Sequence, residues 1–287
     1  MDLAKPLVVA VMGIAALVAA QDTCVSPTIR LKLSSCSIPG TGTATDVSAW
    51  GLLAGVGDSA KLCMVPSTVV NSTILMSNEI CEDPWLHGSP NLTLAQCRSR
   101  RGGFIQRSDF SSADITSPTE MERLKALNPG WKKLMSLSGI NDTFQHALQT
   151  DLHLSPTRKV TMVQGLATGG QQSSLSHLGL GEQSELLGAL KKAELIGARS
   201  WGLDSGSQSV LHPRDGSLIL GGFDQGAYTG SLWDFATHEN ETNELQDRPC
   251  PLQVTVSKLV INVNNANNAD SKTYEDTTNP SKYCIEP

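Results

Sequence analysis

The sequence predicts a mostly β fold with one or two helices, on three observations. Short apolar runs alternate at period two, most clearly at residues 28–33 and 253–263. Clusters of Gly, Pro, Asn and Asp separate the runs. One stretch alone, residues 182–197, carries apolar side chains at clear helical spacing.

The elements follow in order. Lys5, an apolar run over 7–18 broken only by Gly13, and Val18-Ala19-Ala20 before Gln21 form a secretory signal peptide over residues 1–20. The run is too short to span a bilayer, which takes about 20 residues. No later segment is long and apolar enough, so no membrane span is expected. Residues 23–70 read as short strands between turns, with 28–33 a half-buried strand, 38–42 (Ile-Pro-Gly-Thr-Gly) a turn and 62–65 a short apolar strand. Residues 81–97 enclose a polar loop with Pro84, Gly88 and Pro90, which a Cys81–Cys97 disulfide would hold closed. Leu124, Leu127 and Trp131 share a face of a short helix within 121–137, interrupted at Pro129-Gly130. Residues 160–166 read as a strand and the Gly/Gln/Ser-rich 169–176 as a mobile loop. The helix at 182–197 sets Leu186, Leu187 and Leu190 inward and Lys191-Lys192 outward. Residues 217–220 form a strand ended by Gly221-Gly222. In 253–263, Val254 and Val256 alternate in one phase and Leu259, Ile261 and Val263 in the other, so a bulge or bend is expected near Lys258. The Asn/Asp/Thr-rich 264–280 reads as a surface loop.

Composition bounds the function. All seven cysteines follow residue 20, which in a secreted chain predicts disulfides and leaves one thiol over. There is no CxxC pair and no zinc-type His/Cys spacing, so neither a metal nor another cofactor is expected. The histidines form no HExxH pair, and Gly-x-Ser-x-Gly and GxGxxG are missing. Asn71, Asn91, Asn141 and Asn240 head N-glycosylation sequons, whereas Asn279 is followed by proline. A net charge of −6 and a pI of about 5.5 argue against nucleic acid. The one basic cluster, Arg98-Ser99-Arg100-Arg101, reads as a solvated loop.

Three motifs come in a telling order. Leu178-Gly-Leu-Gly181 precedes the helix. Residues 215–232 run Asp-Gly-Ser-Leu-Ile-Leu-Gly-Gly-Phe-Asp-Gln-Gly-Ala-Tyr-Thr-Gly-Ser-Leu, and an apolar strand follows at 252–261. This arrangement resembles the pepsin-like aspartic peptidases (peptidase A1), in particular secreted fungal members, firmly over 178–261 and more loosely back to Trp50. The resemblance implies a pepsin-like fold, with a first lobe and lobe junction over 21–245 and the start of a second lobe over 246–287. It also implies a site in which two carboxylates, each in an Asp-Thr/Ser-Gly turn, share a proton and activate a water.

The catalytic motifs depart from that pattern. Val65-Pro66-Ser67 matches the family's Trp-Val-Pro-Ser tail, and counting back from it reaches Asp58-Ser59-Ala60. The spacing is one residue short and alanine replaces the turn glycine, so Asp58 reads either as a remnant of the first aspartate or as a plain turn residue. Leu203-Asp204-Ser205-Gly206 matches the catalytic text but precedes the Leu-Gly-Gly strand, where a turn is the better reading of Asp204. After residue 263, Asp270-Ser-Lys and Asp276-Thr-Thr lack the glycine, so the second site is expected to be missing. Three functions follow: an inactive pepsin-like protein, or a fragment of one with a truncated second lobe, that binds polypeptide; an active aspartic endopeptidase; or a glycoprotein of the cell surface or wall. An exposed lobe interface, with an unpaired edge near 253–263, would favour self-association.

Overall fold

A computed structural model describes residues 27–36, 49–58, 60–82, 93–100, 102–110, 112–115, 117–128, 144–167, 175–209, 211–227 and 230. It also describes the backbone of 242–243, 248–249, 253–256, 258–265, 268–275 and 281–284. The segment read as a signal peptide, the turn at 38–42, Trp131 and most of the loop at 169–176 lie outside these residues.

The elements run β1 (Ile29–Cys36), β2 (Ala49–Val56), β3 (Ala60–Ser67), β4 (Ile74–Met76), α1 (Glu79–Glu82), α2 (Leu94–Arg100), β5 (Asp114–Ile115) and α3 (Pro118–Leu127). There follow β6 (Phe144–Ser155), β7 (Arg158–Ala167), β8 (Ser176–Gly179), α4 (Glu185–Lys192), β9 (Trp201–Asp204) and β10 (Gly216–Leu220). The protein is mostly β, as its alternation and turns predict.

Ten strands form one sheet in the order β5-β6-β7-β4-β8-β3-β2-β1-β10-β9, and a further pairing of β6 with β2 closes six of them into a barrel. Most neighbours are antiparallel, but β3 runs parallel to β8 and β4 parallel to β7. β1 explains its own place: Ile29, Leu31 and Leu33 are buried while Arg30 and Lys32 face solvent, the pattern of a strand with one wet face. It lies between β2 and β10, pairing Leu33 with Leu52 and Leu31 with Leu218. The barrel core joins Val56, Leu62, Met64, Leu148, Leu152 and Leu166, each fully buried. A second cluster packs Met121 and Leu124 of α3 on Val70, Ile74 and Met76.

The helix expected at 182–197 is shorter, Glu185–Lys192, because both ends are capped from within that span. Ser184 Oγ accepts from Leu187 N (3.2 Å) at the start. At the end Leu195 N donates to Leu190 O and Glu194 N to Lys191 O, both 3.0 Å, with Glu194 left-handed at φ 56°. Leu186, Leu187 and Leu190 face the core as expected, each worth about 2 kcal/mol of burial. α3 likewise stops at Leu127, since Asn128 precedes Pro129 and takes φ −121°.

Two other expectations change. Ser176, read as loop, begins β8 and is buried. The run at 253–263 is two strands, β13 (Gln253–Val256) and β14 (Lys258–Asn265), after the short pair β11 (Thr242–Asn243) and β12 (Arg248–Pro249). β14 pairs with β15 (Asn268–Glu275) and β13 with β16 (Ser281–Cys284). The phase slip at Lys258 is therefore a change of partner, and each of the two strands is paired along one edge. The supposed loop at 264–280 hides β15, because Asn and Asp are poor strand formers by composition yet here join a ladder of eight pairs.

Candidate functional site

The two aspartates singled out by the sequence do not meet. Asp58 sits at the exposed tip of the β2–β3 hairpin, whose last pair is Val56–Ala60, and Gly57 N ties that tip to Asp151 O (2.8 Å). Asp204 ends β9. Its carboxylate accepts from Arg214 Nη1 (2.5 Å) and Nη2 (2.9 Å) and from Gly206 N (3.0 Å). Gly206 takes φ 72°, so Asp204-Ser205-Gly206 is an Asx-type turn that starts the return to β10. The Arg214 hydrogen bond first, then the Gly206 amide, hold the Asp204 carboxyl down to about 2.

β2 measures their separation. Trp50 Nε1 donates to Ser205 O (3.1 Å), anchoring the Asp204 turn at one end of the strand, and Asp58 follows the other end. Seven residue steps of extended chain set the two ends about 20 Å apart. A shared proton needs carboxylates in contact. Asp58 also lies at the opposite end of β3 from Ser67, so a whole strand separates it from Val65-Pro66-Ser67.

The polar cluster that the fold does assemble lies where the β3–β4 loop meets the end of α3 and the start of α4. Asn128, 2 % exposed, accepts at Oδ1 from the amides of Asn71 (2.7 Å) and Ser72 (2.9 Å). Its Nδ2 donates to Ser72 Oγ (2.9 Å) and Leu124 O (2.7 Å). Ser72 Oγ donates in turn to Glu185 Oε2 (2.5 Å), and Arg123 bridges Glu185 and Glu120. Glu120 foremost, with Glu185, pushes the Arg123 guanidinium up, keeping it charged. Glu185 is the first residue of α4, where the helix dipole favours its charge. The cluster is a structural lock, since Ser72 is wholly buried and its hydroxyl is engaged on both sides. Asn128→Asp keeps both accepted bonds, sets an acceptor against Leu124 O, and leaves the single Ser72 hydroxyl proton to serve either the new carboxylate or Glu185. It is expected to cost about 2 kcal/mol in a urea melt at neutral pH.

Two histidines are placed distinctively. Arg107 Nη1 donates to His146 Nε2 (2.6 Å), so the proton of the neutral ring sits on Nδ1, 3.1 Å from Asp114 Oδ1. Arg107 also pairs with Glu79 (3.2 Å), joining α1, β5 and β6. His177 on β8 is partly exposed as a residue, but its Nδ1 is buried, and burial pushes the imidazole down to about 4.

A disulfide joins Cys81 of α1 to Cys97 of α2. A second, Cys36–Cys63, ties the end of β1 to β3. It went unread in the sequence, because Cys36 falls out of step with the inward Ile29, Leu31 and Leu33 and Cys63 out of step with Leu62 and Met64, so the pair is buried as a cluster of its own. Cys24 and Cys250 lie outside the described residues, as do the sequon asparagines Asn91, Asn141 and Asn240. Asn71 is described, and its side-chain amide is in use: Nδ2 donates to Leu127 O (2.7 Å) and Oδ1 accepts from Gln183 N (2.9 Å).

A small apolar pocket lies among Leu31, Leu52, Leu53, Met64, Leu154 and Leu178, without a charged group in its lining. Among the described residues no cluster of His, Cys, Asp or Glu is placed to hold a metal ion, and no helix is long and apolar enough to cross a membrane. Fold and bridges together define a mostly β, barrel-centred, disulfide-linked protein. No protein-family model and no curated protein matches the chain.

Proposed function

We propose that this chain is a secreted pepsin-like protein of the peptidase A1 type that binds polypeptide without cutting it. One observation carries the reading: its two candidate aspartates stand at opposite ends of β2, and one of them is held by Arg214. The motif order supports the family side of the reading, with Leu178-Gly-Leu-Gly181 leading from β8 toward α4 and Leu220-Gly-Gly222 closing β10. The two disulfides fit an oxidising, extracellular setting. Catalysis by a carboxylate pair fails by orders of magnitude when one member is lost.

The test is proteolysis. The chain is expressed in a secretory host and incubated with casein from acid to neutral pH, with and without pepstatin. Cleavage no greater than that of a mock purification is the expected result. Pepstatin-sensitive cleavage, abolished in Asp58→Asn or Asp204→Asn, would instead establish an active endopeptidase and name its aspartate.

A further inference from the structure

We infer that Asn71, the head of a glycosylation sequon, is a pin that closes the fold and carries no glycan in the folded protein. Glycan transfer joins a sugar C1 to the amide Nδ2, with loss of a proton from that nitrogen and departure of the lipid diphosphate from the sugar. In the fold Nδ2 faces Leu127 O at 2.7 Å, at the end of α3, while Oδ1 holds Gln183 N at 2.9 Å, just before α4. The Asn71 backbone is held on both sides too: its N donates to Asn128 Oδ1 (2.7 Å) and its O accepts from Glu185 N (2.9 Å). One residue thus fastens the β3–β4 loop to two helices. The rest of the sequon is sealed. Ser72 and Thr73 are both 0 % exposed, and Thr73 O accepts from Gly165 N (3.0 Å) within the sheet. A transferase needs the sequon as an accessible strand, so the folded chain offers it nothing. A glycan added before folding would crowd the junction where Leu127, Gln183 and Asn71 meet.

Thr73 supplies the decisive variant. Its Oγ1 is buried and has no hydrogen-bond partner among the described residues, so Thr73→Val destroys the sequon while preserving shape and leaving Asn71 untouched. Asn71→Gln destroys the sequon and the pin together. The full chain and both variants are expressed in a eukaryotic secretory host behind that host's own leader. The folded monomer is then treated with a glycan-releasing amidase in heavy-oxygen water, and its peptides are weighed. The expected result is no label at Asn71, the same glycan mass in Thr73→Val as in the parent, and an unchanged melting temperature for Thr73→Val. Asn71→Gln should melt lower by about 5 °C, the cost of two misplaced hydrogen bonds in a domain of this size. Label at Asn71 in the folded monomer would overturn the inference. So would an equal loss of stability in both variants, which would assign the stabilisation to a glycan, or no loss in Asn71→Gln.

Discussion

Replacing both Cys36 and Cys63 by alanine is expected to destabilise the protein by about 3.5 kcal/mol, because the bridge closes a sequence separation of 27 residues and constrains the unfolded chain accordingly. The bridge is also part of the barrel's wall. Cys36 of β1 pairs with Ala49 of β2, and Cys63 of β3 pairs with Leu53 of β2, so the bridge crosses β2 at Gly51, midway between them. A Cβ on Gly51 would lie 2.7 Å from Cys63 Sγ and 2.7 Å from Met64 O. Gly51→Ala must therefore displace either the bridge or the strand, at a cost of about 1–3 kcal/mol. Part of that cost should vanish when Cys63 is alanine, and part should persist through the Met64 carbonyl. Urea melts of the parent, Gly51→Ala, the double cysteine variant and the triple variant form a cycle, with a coupling of at least about 1 kcal/mol expected. Strict additivity would mean that the bridge does not lie over Gly51. The Cys81–Cys97 bridge spans a separation of 16 residues and should cost about 3 kcal/mol by the same relation, though it joins two short peripheral helices.

How much of this was legible varies with the range of the forces involved. β1 was legible because a strand with one wet face writes its burial into the sequence as Ile29-Arg30-Leu31-Lys32-Leu33. β6 was not, although at 12 residues it is the longest strand among the described residues. Register shifts between Phe144 and His146 and between His153 and Ser155 break its alternation at both ends. β4 and β8 are short and buried, and such runs carry no period to read. The helix at 185–192 announced its leucines but not its ends, since Ser184 and Glu194 act as caps only through geometry. At the candidate site the turn character of Asp204 was legible in Asp-Ser-Gly. Its tie to Arg214, ten residues on across a hairpin, was not. The lock among Asn71, Asn128 and Glu185 joins residues 57 and 113 or more positions apart, so no local pattern contains it. Within Asn71-Ser-Thr the sequence even suggests the opposite, an exposed acceptor, because a sequon records residue types and not where the amide points.

Lowering the pH from neutral to about 4 is expected to remove about 3 kcal/mol of stability through His177 alone. His177 pairs with Val65 of β3 and Ile74 of β4 in the middle of the sheet, and burial pushes its imidazole from the ordinary 6.5 to about 4. The unfolded chain takes up a proton as pH falls below the ordinary value, while the folded chain does not until the pH nears 4. Protons thus favour the unfolded state across that window: stability is full above about 6.5, falls through it and loses no more below about 4. The depressed carboxylates act elsewhere. Asp204, held at about 2 by Arg214 and Gly206, keeps its contribution until the pH falls below the ordinary carboxylate range, and Asp151, lowered by Lys159 and Thr161, behaves alike. His177→Gln removes the titration, so the comparison is of slopes: the variant's unfolding free energy should vary less between neutral pH and pH about 4 by about 3 kcal/mol, whatever its absolute stability. Equal slopes in the two proteins would show that His177 is protonated in the fold and sink the prediction. The consequence bears on function. An acid peptidase must keep its fold where its carboxylates share a proton, and this chain sets in its central sheet a histidine that opposes folding in that range.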